Sequence, residues 1–205
     1  MVNPRRHGYY CLFGLLYVLN VTRALSGNNN NNNGDPSRLL ILGLGRVGLQ
    51  CGLLASQTGV VDHVLGTVRS EVLEKPHPRD GIERTPFLEA KQHWDQVSHV
   101  LWTIPLVPEM DESLQQVLDL LQTENDHLQW IGMVSTTGVY GNHDGNWVTE
   151  DSALLCTSDS NASLYVQVEE MLGKVGGQIF RCAGIYDSTR SALHTVYKTR
   201  TRPSQ

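Results

Sequence analysis

The chain has 205 residues, of which 40% are hydrophobic and 18% charged. That length suits one domain with a single sizeable core, and that composition excludes a chain that is disordered or membrane-embedded throughout. Net charge is −5, and because the first 27 residues hold three arginines and no acid, the rest carries 13 basic against 21 acidic side chains. A body this acidic has no basic face for a phosphate backbone, which argues against nucleic acid as a partner.

Arg5 and Arg6 precede an apolar run at 9–21, YYCLFGLLYVLNV, and the small residues Ala24, Ser26 and Gly27 follow. Basic start, short apolar stretch and small-residue zone are the order of a targeting signal, and the run falls short of the ~20 residues a membrane span needs. Residues 1–27 are therefore expected to direct the chain to the secretory pathway or to an organelle such as a plastid. An uncleaved anchor or a misplaced gene start is the alternative for this segment, and a cytoplasmic protein the alternative localisation. Six consecutive asparagines at 28–33 cannot build a core, so 28–36 is expected to be a disordered linker and 37–205 the folded domain.

The domain opens with RLLILGLGRVGLQCGLLASQTG, which predicts a buried strand over 39–42, a tight turn and a helix closing near Gly59. Gly43, Gly45 and Gly48 stand at GxGxxG spacing on that turn, with Arg46 and Val47 between the last two. The first glycine permits the sharp turn, the second lets backbone amides approach a pyrophosphate, and the third lets helix pack close on strand. A glycine-rich turn with no ligand is the competing reading of the motif alone. DHVLGTVRS at 62–70 supplies the second strand of a βαβ unit. A site that prefers NAD usually ends this strand with an acid for the ribose hydroxyls; here Thr67, Arg69 and Ser70 stand there. A guanidinium and small hydroxyls suit a 2′-phosphate, so NADP is favoured over NAD.

GIERTPF at 81–87 reads as a short strand and FLEAKQHWDQV as an amphipathic piece. HVLWTIP at 99–105 is another central strand, whose end, with Thr103 and Pro105, should open over the cofactor. In MDESLQQVLDLLQTE, Leu114, Val117, Leu118 and Leu121 share one helix face. LQWIGMVS then returns to strand and spills into STTGVYG, 135–141. This alternation predicts an α/β fold, a Rossmann-like doubly wound parallel sheet with helices on both faces, in which the STTGVYG end of the strand lies on the ligand-binding edge. Cys11, Cys51, Cys156 and Cys182 form no CxxC pair and never stand with histidine at metal-ligand spacing. Reduced, mostly buried thiols and no metal site are expected.

ILGLGRVGL, VLGTVRS, STTGVYGNHDGNWVTEDS and FRCAGIYDSTRSAL, in order between residues 41 and 193, resemble the extended short-chain dehydrogenase/reductase proteins, the NAD-dependent epimerase/dehydratase family, and within them an atypical YeeZ-like branch. The resemblance implies that Thr136 is the catalytic hydroxyl, that Ser135 lies at the cofactor, and that a YxxxK pair should open the next helix. That helix is NASLYVQVEEMLGKVGG. One frame puts Asn161 at the tyrosine position and Tyr165 at the lysine position; the other makes Tyr165 the tyrosine and sets Glu169 where lysine belongs. An amide exchanges no proton near neutrality, a phenol supplies no positive charge, and a carboxylate would oppose the ionisation of a nearby phenol. Tyr140, His143 and Tyr186 are candidate substitutes, but Tyr140 reads better as a packing ring at the turn, His143 as a solvated loop residue in GNHDGN and Tyr186 as a side chain ending the sixth strand.

After the sixth strand, QIFRCAGIY, the family reads GPGR, and this chain reads DSTR at 187–190, keeping Arg190. Relatives continue well past the position of Gln205 with the substrate lobe, so the chain resembles a truncated member whose open edge would be covered by a second copy or a partner chain. Three readings follow: a dinucleotide-binding module without efficient turnover, an active NADP-dependent oxidoreductase or epimerase acting on a small, sugar-nucleotide-like molecule, and a non-functional fragment.

Overall fold

The computed structural model describes residues 36–69, 80–107 and 111–186. The expected targeting segment and nearly all of the asparagine-rich linker lie outside these residues, as do Ser70, Arg190 with its DSTR turn and the side chain of Leu114. Six strands form one sheet: β1 (Arg38–Leu42), β2 (His63–Val68), β3 (Ile82–Pro86), β4 (His99–Trp102), β5 (Trp130–Thr136) and β6 (Gln178–Cys182). Their order is β3-β2-β1-β4-β5-β6 and every pairing is parallel. Helices α1 (Arg46–Thr58), α2 (Asp111–Gln122) and α3 (Asn161–Lys174) connect them, with 3-10 turns over Phe87–Gln96 where the amphipathic piece was expected. The fold is thus a Rossmann-like doubly wound sheet, and the strand order reverses between β1 and β4.

Strands buried on both faces need apolar side chains on both, which is why β1 reads RLLIL and β4 HVLW without polar alternation. Leu40, Leu42, Val100, Trp102 and Met133 pack on one face with Val117 of α2 and with Val168 and Leu172 of α3. Leu39, Ile41, Leu101 and Phe180 pack on the other with Cys51 and Ala55 of α1. Each such side chain, fully withdrawn from water, contributes roughly 1.5–3 kcal/mol. Small residues bring α1 close to the sheet: a Cβ added to Gly52 would lie 3.0 Å from both Ile41 and Ile82.

Among the described residues Cys51, Cys156 and Cys182 are free thiols, and burial pushes the Cys51 thiol up to about 12, where it is inert as a nucleophile. Among them, too, no group of three or more His, Cys, Asp or Glu is placed to hold a metal ion, and no helix is long and apolar enough to cross a membrane.

Candidate functional site

The strand order reverses between β1 and β4, and the turn that leaves β1 lies at the carboxyl end of that pair, the edge on which open α/β sheets bind ligands. Gly43 adopts φ of +96°, a conformation L side chains avoid. Its N–H donates to Thr67 Oγ1 at 2.8 Å, and its carbonyl accepts from Thr103 Oγ1 at 2.5 Å. Gly45 then caps α1 with extended backbone and, having no side chain, supplies no capping hydrogen bond of its own. Gly45 and Arg46 are exposed, Val47 is half-buried and Gly48 is buried. A Cβ on Gly48 would lie 2.3 Å from the Gly43 carbonyl oxygen and 2.9 Å from Ile41 Cγ2, whereas one on Gly45 would meet nothing within 4 Å.

The three glycines therefore have different jobs, and only the second faces open space. Gly48→Ala should cost about 1–3 kcal/mol of stability, since the added methyl must push backbone against backbone. A urea titration measures it; an unchanged midpoint would show that helix and strand can separate freely.

The structure gives several of the hydroxyls expected at the cofactor other partners. Thr67 and Thr103 hold the Gly43 peptide. Ser135 is buried and donates its hydroxyl to Glu169 Oε1. Arg69, just past β2, and Pro105, three residues past β4, are exposed. Thr136, at the end of β5, is half-buried and accepts from the Gly138 N–H at 3.0 Å, which caps the short 3-10 turn Thr137–Tyr140.

Tyr165 projects from α3 to the loop after β4, where its phenol oxygen accepts the Leu106 N–H at 3.0 Å. The O–H remains able to donate. Glu169, one turn further along α3, faces the interior: Arg181 of β6 donates to Glu169 Oε2 from Nη2 at 2.7 Å and from Nε at 3.1 Å. Arg181 Nη1 also donates to Tyr140 Oη at 3.1 Å and to the Glu150 carbonyl at 3.3 Å. Burial works against the guanidinium charge, but the hydrogen bonds to Glu169 and Tyr140 outweigh it and hold Arg181 above its ordinary value.

Glu169 is thus paired with Arg181 within a buried network, and Tyr140 is a buried member of that network, not an open acid or base. His143 is tied into its own loop by the Ala153 carbonyl at 3.0 Å, and Tyr186 is half-exposed beyond β6. The sequence reading did not anticipate this network, although a signal existed. An arginine inside the apolar strand QIFRC requires a buried counter-charge, and Glu169 is the acid that the inner face of α3 offers.

No protein-family model matches the sequence, and no curated protein matches it. Solved structures do share the fold. A functionally unknown conserved protein from Silicibacter pomeroyi is 27% identical, over 73% of this chain and 54% of its own, with a TM-score of 0.63. A protein from Methylobacillus flagellatus with the provisional name NAD-dependent epimerase/dehydratase is 23% identical, over 80% of this chain and 60% of its own, at 0.61. A UDP-glucuronic acid 4-epimerase from Bacillus cereus, solved in complex with NAD, is 17% identical, over 80% and 63%, at 0.58. The chain thus spans less than two thirds of each.

Proposed function

We propose that the chain binds a nicotinamide dinucleotide at the β1–α1 turn, as an atypical relative of the extended short-chain dehydrogenase/reductase proteins in the YeeZ-like branch, and that it binds this cofactor without efficient turnover. The observation that carries the reading is the glycine turn at the carboxyl end of β1: Gly48 seats α1 against the Gly43 carbonyl, and α1 starts at Gly45, whose Cβ direction is open. Helix starts of this kind receive phosphate through backbone amides and the helix dipole. The NAD complex of the Bacillus cereus epimerase, which shares the fold, agrees with this cofactor class. Arg69, exposed at the end of β2 where a ribose-binding acid would stand, favours NADP over NAD.

Catalysis is a separate matter. Thr136 ends β5 on the ligand-binding edge of the sheet, which supports a role for its hydroxyl, but α3 offers no lysine one turn beyond Tyr165; Glu169 occupies that position and is held by Arg181. General acid–base catalysis is worth about 10²–10⁴-fold, so Tyr165 acting alone would support slow chemistry at best. The second reading, an NADP-dependent oxidoreductase or epimerase acting on a sugar-nucleotide-like molecule, is favoured by Tyr165 Oη, whose proton is free to be donated.

The test is thermal melting of the full chain with and without NADPH and NADH, beside Gly45→Asp. Aspartate is a favoured helix cap, Gly45 has φ of −79° and its Cβ direction is open, so the substitution should leave the fold intact while setting a carboxylate against the pyrophosphate. A ligand at 100 times its dissociation constant stabilises by about 2.7 kcal/mol. The melting temperature is expected to rise with NADPH, less with NADH, and with neither in Gly45→Asp. No shift with either cofactor in the unsubstituted chain would sink the reading.

A further inference from the structure

We infer that Thr67 and Thr103 are positioning residues that clamp the Gly43 peptide from the two strands flanking β1 and so preset the dinucleotide turn before any ligand arrives. This rests on the reading of the turn as a dinucleotide site. It differs from the sequence expectation, in which both threonines touch the cofactor.

When β1 ends at Leu42, the backbone groups of residues 42–44 lose their sheet partners, and each must find another. β2 takes the donors: Gly43 N–H bonds Thr67 Oγ1 at 2.8 Å and Leu44 N–H bonds the Thr67 carbonyl at 2.7 Å. β4 takes the acceptors: the Leu42 carbonyl receives the Thr103 N–H at 2.9 Å, and the Gly43 carbonyl receives the Thr103 hydroxyl at 2.5 Å. Thr67 is 1% exposed, so its hydroxyl is shut away from any ligand.

The Gly43 carbonyl is also the atom against which Gly48 packs, since a Cβ there would approach it to 2.3 Å. Fixing that carbonyl therefore fixes where α1 begins. The amides that would receive a pyrophosphate take their aim from two side chains that never touch it. A preset site loses less freedom on binding, which raises affinity for every ligand that shares the pyrophosphate.

The chemistry of a clamp differs from that of a ligand contact in what it distinguishes. Removing a contact to the 2′-phosphate would weaken NADPH and spare NADH. Removing a contact on the nicotinamide side would weaken both and spare ADP. Loosening the turn weakens all three by a common factor.

The experiment is calorimetric titration of the full chain and of Thr67→Val and Thr103→Val with NADPH, NADH and ADP, with Thr67→Ser and Thr103→Ser as conservative partners. Each valine variant is expected to raise all three dissociation constants together, by about tenfold, the equivalent of one net hydrogen bond. The serine variants, which keep the hydroxyl, should bind nearly as the unsubstituted chain does, a rescue that general loss of packing would not give. The two positions lie on opposite sides of Gly43, so a folding failure at one leaves the other to decide. Valine variants that bind unchanged, or a loss confined to NADPH or to the nicotinamide-bearing ligands, would overturn the clamp while leaving the binding reading standing. An unsubstituted chain that binds none of the three would overturn both.

Discussion

Arg181→Met is expected to destabilise the chain by about 3–5 kcal/mol, a large share of the 5–15 kcal/mol by which a domain of this size is usually stable. Both members of the Arg181–Glu169 pair have side chains only 4% exposed, and their closest approach is 2.7 Å. Methionine fills much of the volume of the guanidinium stem but leaves the Glu169 carboxylate buried with Ser135 as its remaining side-chain donor, and it leaves Tyr140 Oη without the Arg181 hydrogen bond. The stacking of the guanidinium over the Tyr140 ring, 5.0 Å from its centroid, is lost as well. The double variant Arg181→Met, Glu169→Leu should recover much of the loss, because a buried ion pair replaced whole by apolar groups leaves no orphaned charge. Urea unfolding of the two single variants and the double variant gives the coupling directly. Additive losses would show that the two charges are solvated separately and that the network does not hold β5, β6 and α3 together.

Most of the fold was legible because it rests on local patterns. The apolar runs of β1 and β4, the GxGxxG turn and the helix ending at Gly59 each depend on residues near in sequence; the structure places β1 and the helix within a residue or two of where they are read, while β4 stops at Trp102, three residues short of Pro105. The candidate site was legible only in part, for a physical reason. Thr67, Thr103 and Ser135 sit at strand ends where a ligand contact and a structural hydrogen bond call for the same residue types. Which of the two occurs depends on a partner 24, 60 or 34 residues away, and spacing within a motif carries no information about that. Glu169 shows the same limit: one turn beyond Tyr165 it reads as a damaged catalytic position, and only the approach of β6 reveals it as the counter-ion of Arg181.

Acidification from pH 7 towards 4 should weaken the chain by up to roughly 3 kcal/mol through His99 alone. This histidine opens β4 on the face that α1 covers, is fully buried, and bonds Ser98 Oγ through Nδ1 at 2.8 Å, while its Nε2 is buried without a hydrogen-bond partner. Burial disfavours the imidazolium and lowers the ionisation to about 4, against 6.5 for an unperturbed histidine. Between those values the unfolded chain binds more protons than the folded one, so stability rises with pH across the window. It is fully present above about 6.5, falls as pH drops and changes no further from this group below about 4. Carboxylates add their own acid dependence, and His99→Leu separates the two, because it removes the titrating ring while keeping the position apolar. Urea unfolding at pH 7.5, 6, 5 and 4.5 should show the unsubstituted chain losing stability relative to the variant by at most about 1.4 kcal/mol per pH unit. Parallel pH profiles would mean that His99 is charged or solvated in the folded state, and that the N-terminal end of β4 opens more readily than its packing against Trp130 implies.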